Sequence, residues 1–159
     1  MPFDDLIPLQ AGDTAPDFTL PSAQGPEVTL SAVVATKPVV LSFVPAAFTG
    51  TCTGEFCELR DNIALFEDAS VQLIGVSADP KAAQRVWAEQ EGFDFPILSD
   101  FWPHGAVARA YGVLLEDKGI ATRATFIVDG SMTIRAAFVH PPSEARPLDE
   151  YRKALASLG

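Results

Sequence analysis

Two uninterrupted apolar runs constrain the fold of this chain more than any other feature. They read PVVLSFV, from Pro38 to Val44, and VQLIGVSA, from Val71 to Ala78. Continuous apolar runs of this length are typical of strands that are covered on both faces, as in parallel sheets. Parallel neighbours need a crossover connection, and enough residues separate the two runs to form a helix. The sequence therefore predicts a β-α-β unit at the centre of the fold.

Helical patterns follow both runs. The segment from Thr51 to about Asp68 carries apolar residues at helical spacing, and one face collects Cys52, Phe56, Leu59, Ile63 and Phe66. After the second run, Asp79 and Pro80 are the predicted N-cap and first residue of a helix that ends near Gly92. A last helix is predicted near the C-terminus, with Tyr151, Leu155 and Leu158 on one face.

Two hairpins complete the pattern. APDFTL and EVTL are joined by the turn-like PSAQGP near the N-terminus, and ATFIVD and TIRAAFV flank a turn at Gly130 and Ser131. FPILSD adds a strand, and a short helix is expected from Ala106 to Tyr111. The order of elements predicts an α/β fold, a thioredoxin-like sandwich with a central mixed β-sheet flanked by helices and an N-terminal β-hairpin. A flavodoxin-like doubly wound sheet is the alternative, but it favours a parallel crossover in place of the late hairpin.

Composition limits the classes of protein that fit. The chain has 159 residues without a repeat or linker, so one domain spanning 1–159 is expected. Its 21 acidic and 11 basic residues give a net charge of −10, which argues against a nucleic-acid partner. No leader-like segment and no apolar run of bilayer length is present, so the expectation is a cytoplasmic protein without a membrane partner. In that reducing compartment, two nearby cysteines indicate redox or metal chemistry.

The segment FVPAAFTGTCTGEFC, from Phe43 to Cys57, carries the candidate chemistry. Here an apolar strand breaks at Pro45 into a Thr/Gly turn and delivers Cys52 to the start of a helix. Unpaired N–H groups and the positive end of the helix dipole favour a thiolate at this position. Thr49 offers a hydroxyl for hydrogen bonding to a small substrate, and Pro45 is placed to shield the sulfur from water.

Cys57 has two interpretations: it reacts with an oxidised Cys52, or it is a packed thiol. Five residues of α-helix separate the two Cα atoms by roughly 8 to 9 Å, beyond the approximately 7 Å limit for a disulfide. A bridge therefore requires the helix to unwind, and Gly54 between the two cysteines lowers the cost. A zinc site is not expected because His104 and His140 lie far apart in the sequence, and His104 receives no role.

The same residues resemble the peroxiredoxins. Pro45, Thr49 and Cys52 match the family's active-site motif, Glu55 matches a glutamate that often follows the cysteine, and Arg123 in TRATFIVD matches its distant arginine. The stretches AFTGTCTGEF, LSDFWPHGAVARAYGV and GIATRATFIVD are most similar to the one-cysteine alkyl hydroperoxide reductase E group. Cys57 is a departure from that group, since it has the spacing of the resolving cysteine in the PrxQ-type group.

The resemblance implies a thiol-dependent peroxidase that reduces hydrogen peroxide, organic hydroperoxides and peroxynitrite without a cofactor or metal. Cys52 would attack the O–O bond and become a sulfenic acid, while Arg123 stabilises the charge that develops. Thr49 would hydrogen-bond the peroxide and Glu55 would orient the arginine. Phe48 and Trp102 would line an entrance or a dimer contact.

Two routes of reduction follow from the resemblance. A Cys52–Cys57 disulfide would be reduced by thioredoxin, whereas an E-type cycle would use a glutaredoxin-like protein or a low-molecular-weight thiol. A homodimer is implied by the E-type group, whereas the PrxQ-type group implies a monomer, and the composition does not decide between them. A non-enzymatic peroxide sensor that uses Cys52 is one alternative function. A thiol-disulfide oxidoreductase is another, although the C-x-x-C motif of that class is absent.

Overall fold

The computed structural model describes residues 2–158. Its strands are β1 (Thr19–Leu20), β2 (Val28–Thr29), β3 (Val39–Phe43), β4 (Gln72–Ser77), β5 (Ile97–Ser99), β6 (Leu114–Leu115), β7 (Ile120–Ala121), β8 (Arg123–Val128) and β9 (Ile134–His140). Its helices are α1 (Leu30–Val34), α2 (Gly50–Asp61), α3 (Ile63–Asp68), α4 (Lys81–Glu91), α5 (Ala106–Ala110) and α6 (Leu148–Ala156), and a 3₁₀ turn spans Phe3–Asp5.

Five strands form the central sheet in the order β5-β4-β3-β8-β9. β3 pairs in parallel with β4, and β4 with β5, whereas β8 is antiparallel to both β3 and β9. This arrangement confirms the predicted mixed sheet and the late hairpin, and it excludes the flavodoxin-like alternative. β1 and β2 pair antiparallel, which confirms the N-terminal hairpin. Every residue of β3 is buried, which explains its nearly continuous apolar sequence. Every residue of β8 is buried as well, including the polar Arg123 and Thr125.

Hydrophobic side chains cover both faces of the sheet. One cluster packs Leu41 and Phe43 of β3 against residues of α1 and α5. The other packs Val40 of β3 against α2, α4 and α6, and it includes Cys52. The sheet is therefore flanked by helices, as predicted. Within residues 2–158, no helix is long and apolar enough to cross a membrane.

Three local expectations need correction, and one element was missed. The predicted helix from Thr51 to about Asp68 is two helices, because the backbone leaves helical geometry at Asn62 (φ −120°, ψ 28°) and α3 starts afresh at the next residue. The EVTL strand is shorter than expected, since Leu30 already begins α1. Pro80 rather than Asp79 is the N-cap of α4. The short β6–β7 hairpin was not predicted, because each strand has only two residues.

Candidate active site

Cys52 lies in the first turn of α2 and is completely buried. The first N–H groups of a helix lack intrahelical partners. Thr49, the N-cap, does not supply one, because its Oγ1 instead donates to the Ala46 carbonyl at 3.0 Å. Across residues 2–158, no protein atom accepts the backbone N–H of Cys52. This donor is therefore available to a small molecule that reaches the sulfur.

The loop before α2 is fixed from the neighbouring strand. β3 ends two residues before Pro45, which is buried. The preceding residue, Val44, donates its N–H to the Val76 carbonyl at 2.9 Å. The Ala47 N–H donates to Asp79 Oδ2 at 2.7 Å, and the same oxygen accepts Ser77 Oγ at 2.6 Å. Asp79, predicted as a helix cap, therefore tethers the loop that leads to Cys52.

Phe48 takes an unusual conformation in this loop. Its φ is +66°, in the left-handed region that disfavours bulky side chains, and its side chain is 51% exposed. Its ring contacts Trp87 at a centroid distance of 6.4 Å, and Trp87 Nε1 donates to Thr53 Oγ1 at 3.0 Å. Phe48 therefore lies at the surface against Trp87, which also contacts the first turn of α2 through Thr53.

A buried carboxylate joins α2 to two arginines. Glu55 lies three residues after Cys52, on the same side of the helix. Its Oε1 accepts Arg123 Nη1 at 2.6 Å and Arg146 Nη2 at 3.0 Å, and its Oε2 accepts the backbone N–H of Arg146 at 2.5 Å. Both arginines are almost fully buried. Two guanidinium groups are therefore held beside the helical turn that carries Cys52.

The ionisation of this network follows from its contacts. Burial alone would raise the pKa of the Glu55 carboxyl, but the hydrogen bonds and charge of Arg146, together with the charge of Arg123, outweigh it and lower that pKa. Burial opposes the charge of Arg146, yet the surrounding groups raise its pKa, and Cys52 is among those groups. An ionised Glu55 thus anchors two cations, which suits it to orienting them rather than to proton transfer.

Arg123 retains one nitrogen that bonds no protein acceptor in the described part of the chain. It begins β8, its Nε donates to the Pro142 carbonyl at 2.7 Å and its Nη1 binds Glu55. No protein acceptor within residues 2–158 contacts its Nη2. Arg146 has no such spare group, because its Nη1 donates to the Ala124 carbonyl at 2.9 Å and to Thr125 Oγ1 at 3.0 Å.

Arg146 is the site residue that sequence reasoning missed. It stands alone in the turn before α6, where neither periodicity nor a motif distinguishes it from a solvated cation. Its partner Glu55 is 91 residues away. Only the packing of the turn over the start of β8 brings them together.

Cys57 lies on the same continuous helix as Cys52, and both thiols are free. Its side chain is half-buried, and Sγ donates to Glu91 Oε1 of α4 at 3.4 Å. Five residues of intact helix separate it from Cys52, so the two sulfurs are not placed to bond directly. The predicted need for unwinding therefore applies to this structure.

The remaining candidates lie outside the buried network. Trp102 is 78% exposed in the loop after β5, with Phe101 beside it at 46%. His104 contacts the Gly119 carbonyl through Nε2 at 2.7 Å, a link between two loops. Within residues 2–158, no group of three or more His, Cys, Asp or Glu side chains is arranged to hold a metal ion.

Chemically, this arrangement suits attack by sulfur on a small electrophile that leaves as an anion. The sulfur is shielded from water, a backbone N–H is unpaired beside it, and fixed positive charge is nearby. Preorganised donors of this kind stabilise charge that develops in a transition state.

Comparison with known proteins identifies the family. The sequence pattern of the AhpC/TSA family matches residues 11–137. Alkyl hydroperoxide reductase E from Mycobacterium tuberculosis is 48% identical over 150 residues, which cover 94% of this chain and 98% of that protein. Peroxiredoxin 2 from Picrophilus torridus is 32% identical over 158 residues, covering 96% of this chain and 77% of that protein.

Solved structures agree with the fold. Peroxidoxin BcpB from Mycobacterium tuberculosis matches with a TM-score of 0.79 and 35% identity, over 94% of this chain and 96% of that one. AhpC from Enterococcus faecalis matches with a TM-score of 0.84 and 25% identity, over 93% of this chain and 91% of that one. The predicted resemblance and fold are thereby confirmed, and none of these matches favours the sensor or the oxidoreductase. The chain belongs to the AhpC/TSA family and is a peroxiredoxin, a thiol-dependent peroxidase.

Proposed function

We propose that Cys52 is the peroxidatic nucleophile of this enzyme and that its substrates are hydrogen peroxide, organic hydroperoxides and peroxynitrite. One observation carries the proposal: Cys52 lies three residues before the carboxylate that binds two buried guanidinium groups. Few arrangements other than a reactive thiol explain such a concentration of fixed positive charge beside a buried cysteine.

The proposed chemistry uses the donors that the protein leaves unpaired. The Cys52 thiolate attacks one oxygen of the O–O bond, so an S–O bond forms as the O–O bond breaks. The departing oxygen takes the electron pair, which leaves Cys52 as a sulfenic acid. With hydrogen peroxide or an organic hydroperoxide this oxygen then takes a proton and becomes water or an alcohol, whereas peroxynitrite releases nitrite. Arg123 Nη2 and the Cys52 N–H stabilise the developing negative charge. Thr49, whose own hydrogen is donated to Ala46, accepts the O–H of the hydroperoxide.

Cys57 is proposed to resolve the sulfenic acid after local unwinding of α2. We divide the helix into a hinge segment, residues 50–54, and an anchored segment, residues 55–61. The hinge segment contains Gly50 and Gly54, and a Cβ at either position would meet nothing within 4 Å. Both glycines are exposed and contribute no side-chain packing, so the contacts that this segment loses on unwinding are those of the buried Cys52 and the hydrogen bond from Trp87 to Thr53.

The anchored segment is held from several directions. Glu55 binds both arginines, and the ring of Phe56 stacks on Trp87 and presses on the backbone of β4. A Cβ at Gly75 would lie only 2.6 Å from that ring. Leu59 is 2% exposed, and Arg60 Nη1 donates to the Glu91 carbonyl. We therefore propose that the hinge segment swings the oxidised Cys52 towards a stationary Cys57.

Two routes of reduction remain within the proposal. An internal disulfide suits thioredoxin, whereas a sulfenic acid that persists suits a glutaredoxin-like protein or a low-molecular-weight thiol, which forms a mixed disulfide first. Both routes require a reducing compartment, and we extend the proposal to the cytoplasm on that ground.

A homodimer is part of the proposal. Phe48, Phe101 and Trp102 are exposed on the loops after β3 and β5. These loops meet the intervening loop after β4, since Asp79 binds both the Ala47 N–H and Ser99 Oγ. For a chain with net charge −10, an uncharged aromatic surface is where two copies approach with least repulsion. Sedimentation velocity of the wild type and Trp102→Lys tests this, with a dimer expected for the first and a monomer for the second.

Mass spectrometry after one equivalent of hydrogen peroxide tests the central proposal. The reduced wild type is expected to lose two hydrogens as the Cys52–Cys57 disulfide forms. Cys57→Ser is expected to gain one oxygen at Cys52, and Cys52→Ser is expected to consume no peroxide. Rapid peroxide consumption by Cys52→Ser would contradict the assignment of the nucleophile, and unmodified, alkylatable Cys57 beside an oxidised Cys52 would contradict the resolving role.

A further inference from the structure

Cys57 has an acidic partner on a neighbouring helix. Its Sγ donates to Oε1 of Glu91 at 3.4 Å, and Glu91 is the last residue of α4. A carboxylate in the last turn of a helix faces the negative end of the helix dipole, which is unfavourable. Helix stability therefore gives no reason for an acid at this position, and the contact with the thiol is its distinctive feature.

The charges around Cys57 disfavour its thiolate. Burial and the hydrogen bond to Glu91 raise the pKa of the Cys57 thiol, and the charges of Glu91 and Asp61 act in the same direction. Arg60 opposes them, but its Nε is engaged by Asp61 at 2.9 Å and its Nη1 by the Glu91 carbonyl. The balance keeps Cys57 protonated and turned towards α4.

The anchored segment keeps this environment in place when the helix opens. If the hinge segment carries the oxidised Cys52 to Cys57, Cys57 remains beside Glu91 when it attacks. The attacking species in disulfide formation is the thiolate. Its population at that moment is therefore set by the carboxylate that contacts it.

We infer that Glu91 is a positioning residue that slows disulfide formation by holding Cys57 as a protonated thiol, and so prolongs the Cys52 sulfenic acid. The inference rests on the proposed resolving role of Cys57. In the step concerned, Cys57 loses its proton, its sulfur bonds to Cys52 Sγ, and the Cys52 S–O bond breaks as hydroxide leaves and becomes water. No further oxidant is needed. A longer-lived sulfenic acid gives an external thiol time to compete with Cys57.

Glu91→Gln tests the inference, because glutamine keeps the size and the acceptor oxygen but removes the charge. Glu89→Gln is the matched control, an exposed residue of the same helix with the same change of charge. Alkylation of Cys57 is measured in the Cys52→Ser background from about pH 6 to about pH 10. Disulfide formation is followed by rapid quenching after one equivalent of peroxide in enzymes that retain both cysteines.

For Glu91→Gln, we expect half-maximal alkylation at a pH lower by about 0.5 to 1. Disulfide formation should be about two to three times faster at neutral pH, because the larger thiolate population is partly offset by the lower nucleophilicity of a less basic thiolate. Glu89→Gln is expected to match the wild type in both measurements. Both changes are required, since a merely structural effect would not move the alkylation profile. If Glu91→Gln forms the disulfide at the wild-type rate and its alkylation midpoint is unchanged, the inference about Glu91 is overturned while the resolving role of Cys57 stands. A wild type that forms no disulfide overturns the resolving role and the inference with it.

Discussion

Gly54→Ala tests whether disulfide formation requires the hinge segment to unwind. Gly54 is an exposed residue within α2, its φ is not in the left-handed region, and an added Cβ meets nothing within 4 Å. Alanine therefore enters without steric cost. Its only expected effect is to stabilise the helical conformation relative to unwound states.

The magnitude follows from helix propensity. Alanine is more favourable than glycine inside a helix by about 1 kcal/mol. If the open state loses helical structure at Gly54, the opening equilibrium falls by a factor of about five, since RT is about 0.6 kcal/mol. The Cys52–Cys57 disulfide should form about five times more slowly, and the free energy of unfolding should rise by about 1 kcal/mol.

Rapid-quench mass spectrometry separates the two steps. The gain of one oxygen reports oxidation of Cys52, and the loss of two hydrogens reports the disulfide. Val86→Ala provides a control, because Val86 is 52% exposed on α4 and the change stabilises a helix outside the hinge segment by about 0.5 kcal/mol. Disulfide formation in Val86→Ala should match that of the wild type.

One result refutes the hinge. If Gly54→Ala is more stable than the wild type but forms the disulfide at the wild-type rate, residue 54 is still helical when the sulfurs meet. The anchored segment would then have to move instead, which means breaking contacts of Phe56 and Leu59.

Three further predictions concern the network that holds the site. Glu55→Gln should lower the free energy of unfolding by about 3 to 5 kcal/mol at neutral pH. Because the folded-state pKa of Glu55 lies below its ordinary value of 4.5, the stability difference between wild type and variant should shrink as pH falls through that lowered value. Urea titrations measure this, and a stability difference that does not depend on pH would contradict it. Arg146→Lys should be less stable and slower with peroxide in stopped-flow assays, since an ammonium cannot replace bonds to Glu55, Ala124 and Thr125 together; wild-type values would count against the role of Arg146. Asp79→Ala should cost about 1 to 3 kcal/mol and lower kcat/KM by releasing the Ala47 N–H, whereas equal kcat/KM would mean that the tether is dispensable.

The features that were predicted from the sequence are those that local patterns encode. β3 and β4 are continuous apolar runs because both faces of the sheet are covered, so the pattern required no knowledge of the partners. Gly92 was recognised as the end of α4 because only a residue that tolerates a φ of +72° suits that position. The start of α2 at a Thr/Gly turn likewise follows from short-range preferences.

The missed features depend on contacts between distant parts of the chain. Arg146 is defined by its bonds to Glu55, and Asp79 by its bond to the loop at Ala47, 32 residues earlier. Asp79 is a residue type that favours the start of a helix, but its carboxylate accepts hydrogen bonds from other parts of the chain instead of capping α4. The helix begins one residue later than expected. The break at Asn62 has no glycine or proline to announce it. The apolar residues of α2 and α3 keep one helical spacing across the break, so periodicity alone predicts a single helix.

Glu55 connects the two stages of the proposed cycle. Its carboxylate fixes the arginines beside Cys52, and a buried ionic network of this kind is costly to disrupt, about 3 to 5 kcal/mol when one partner is lost. Unwinding on the N-terminal side of Glu55 leaves this network intact, and glycine at position 54 lowers the cost of that unwinding by about 1 kcal/mol relative to alanine. The helix should therefore open on the N-terminal side of Glu55, which moves Cys52 away from the arginines and leaves Cys57 in place. The residue that anchors the positive charge for oxidation thus also determines which cysteine moves during resolution.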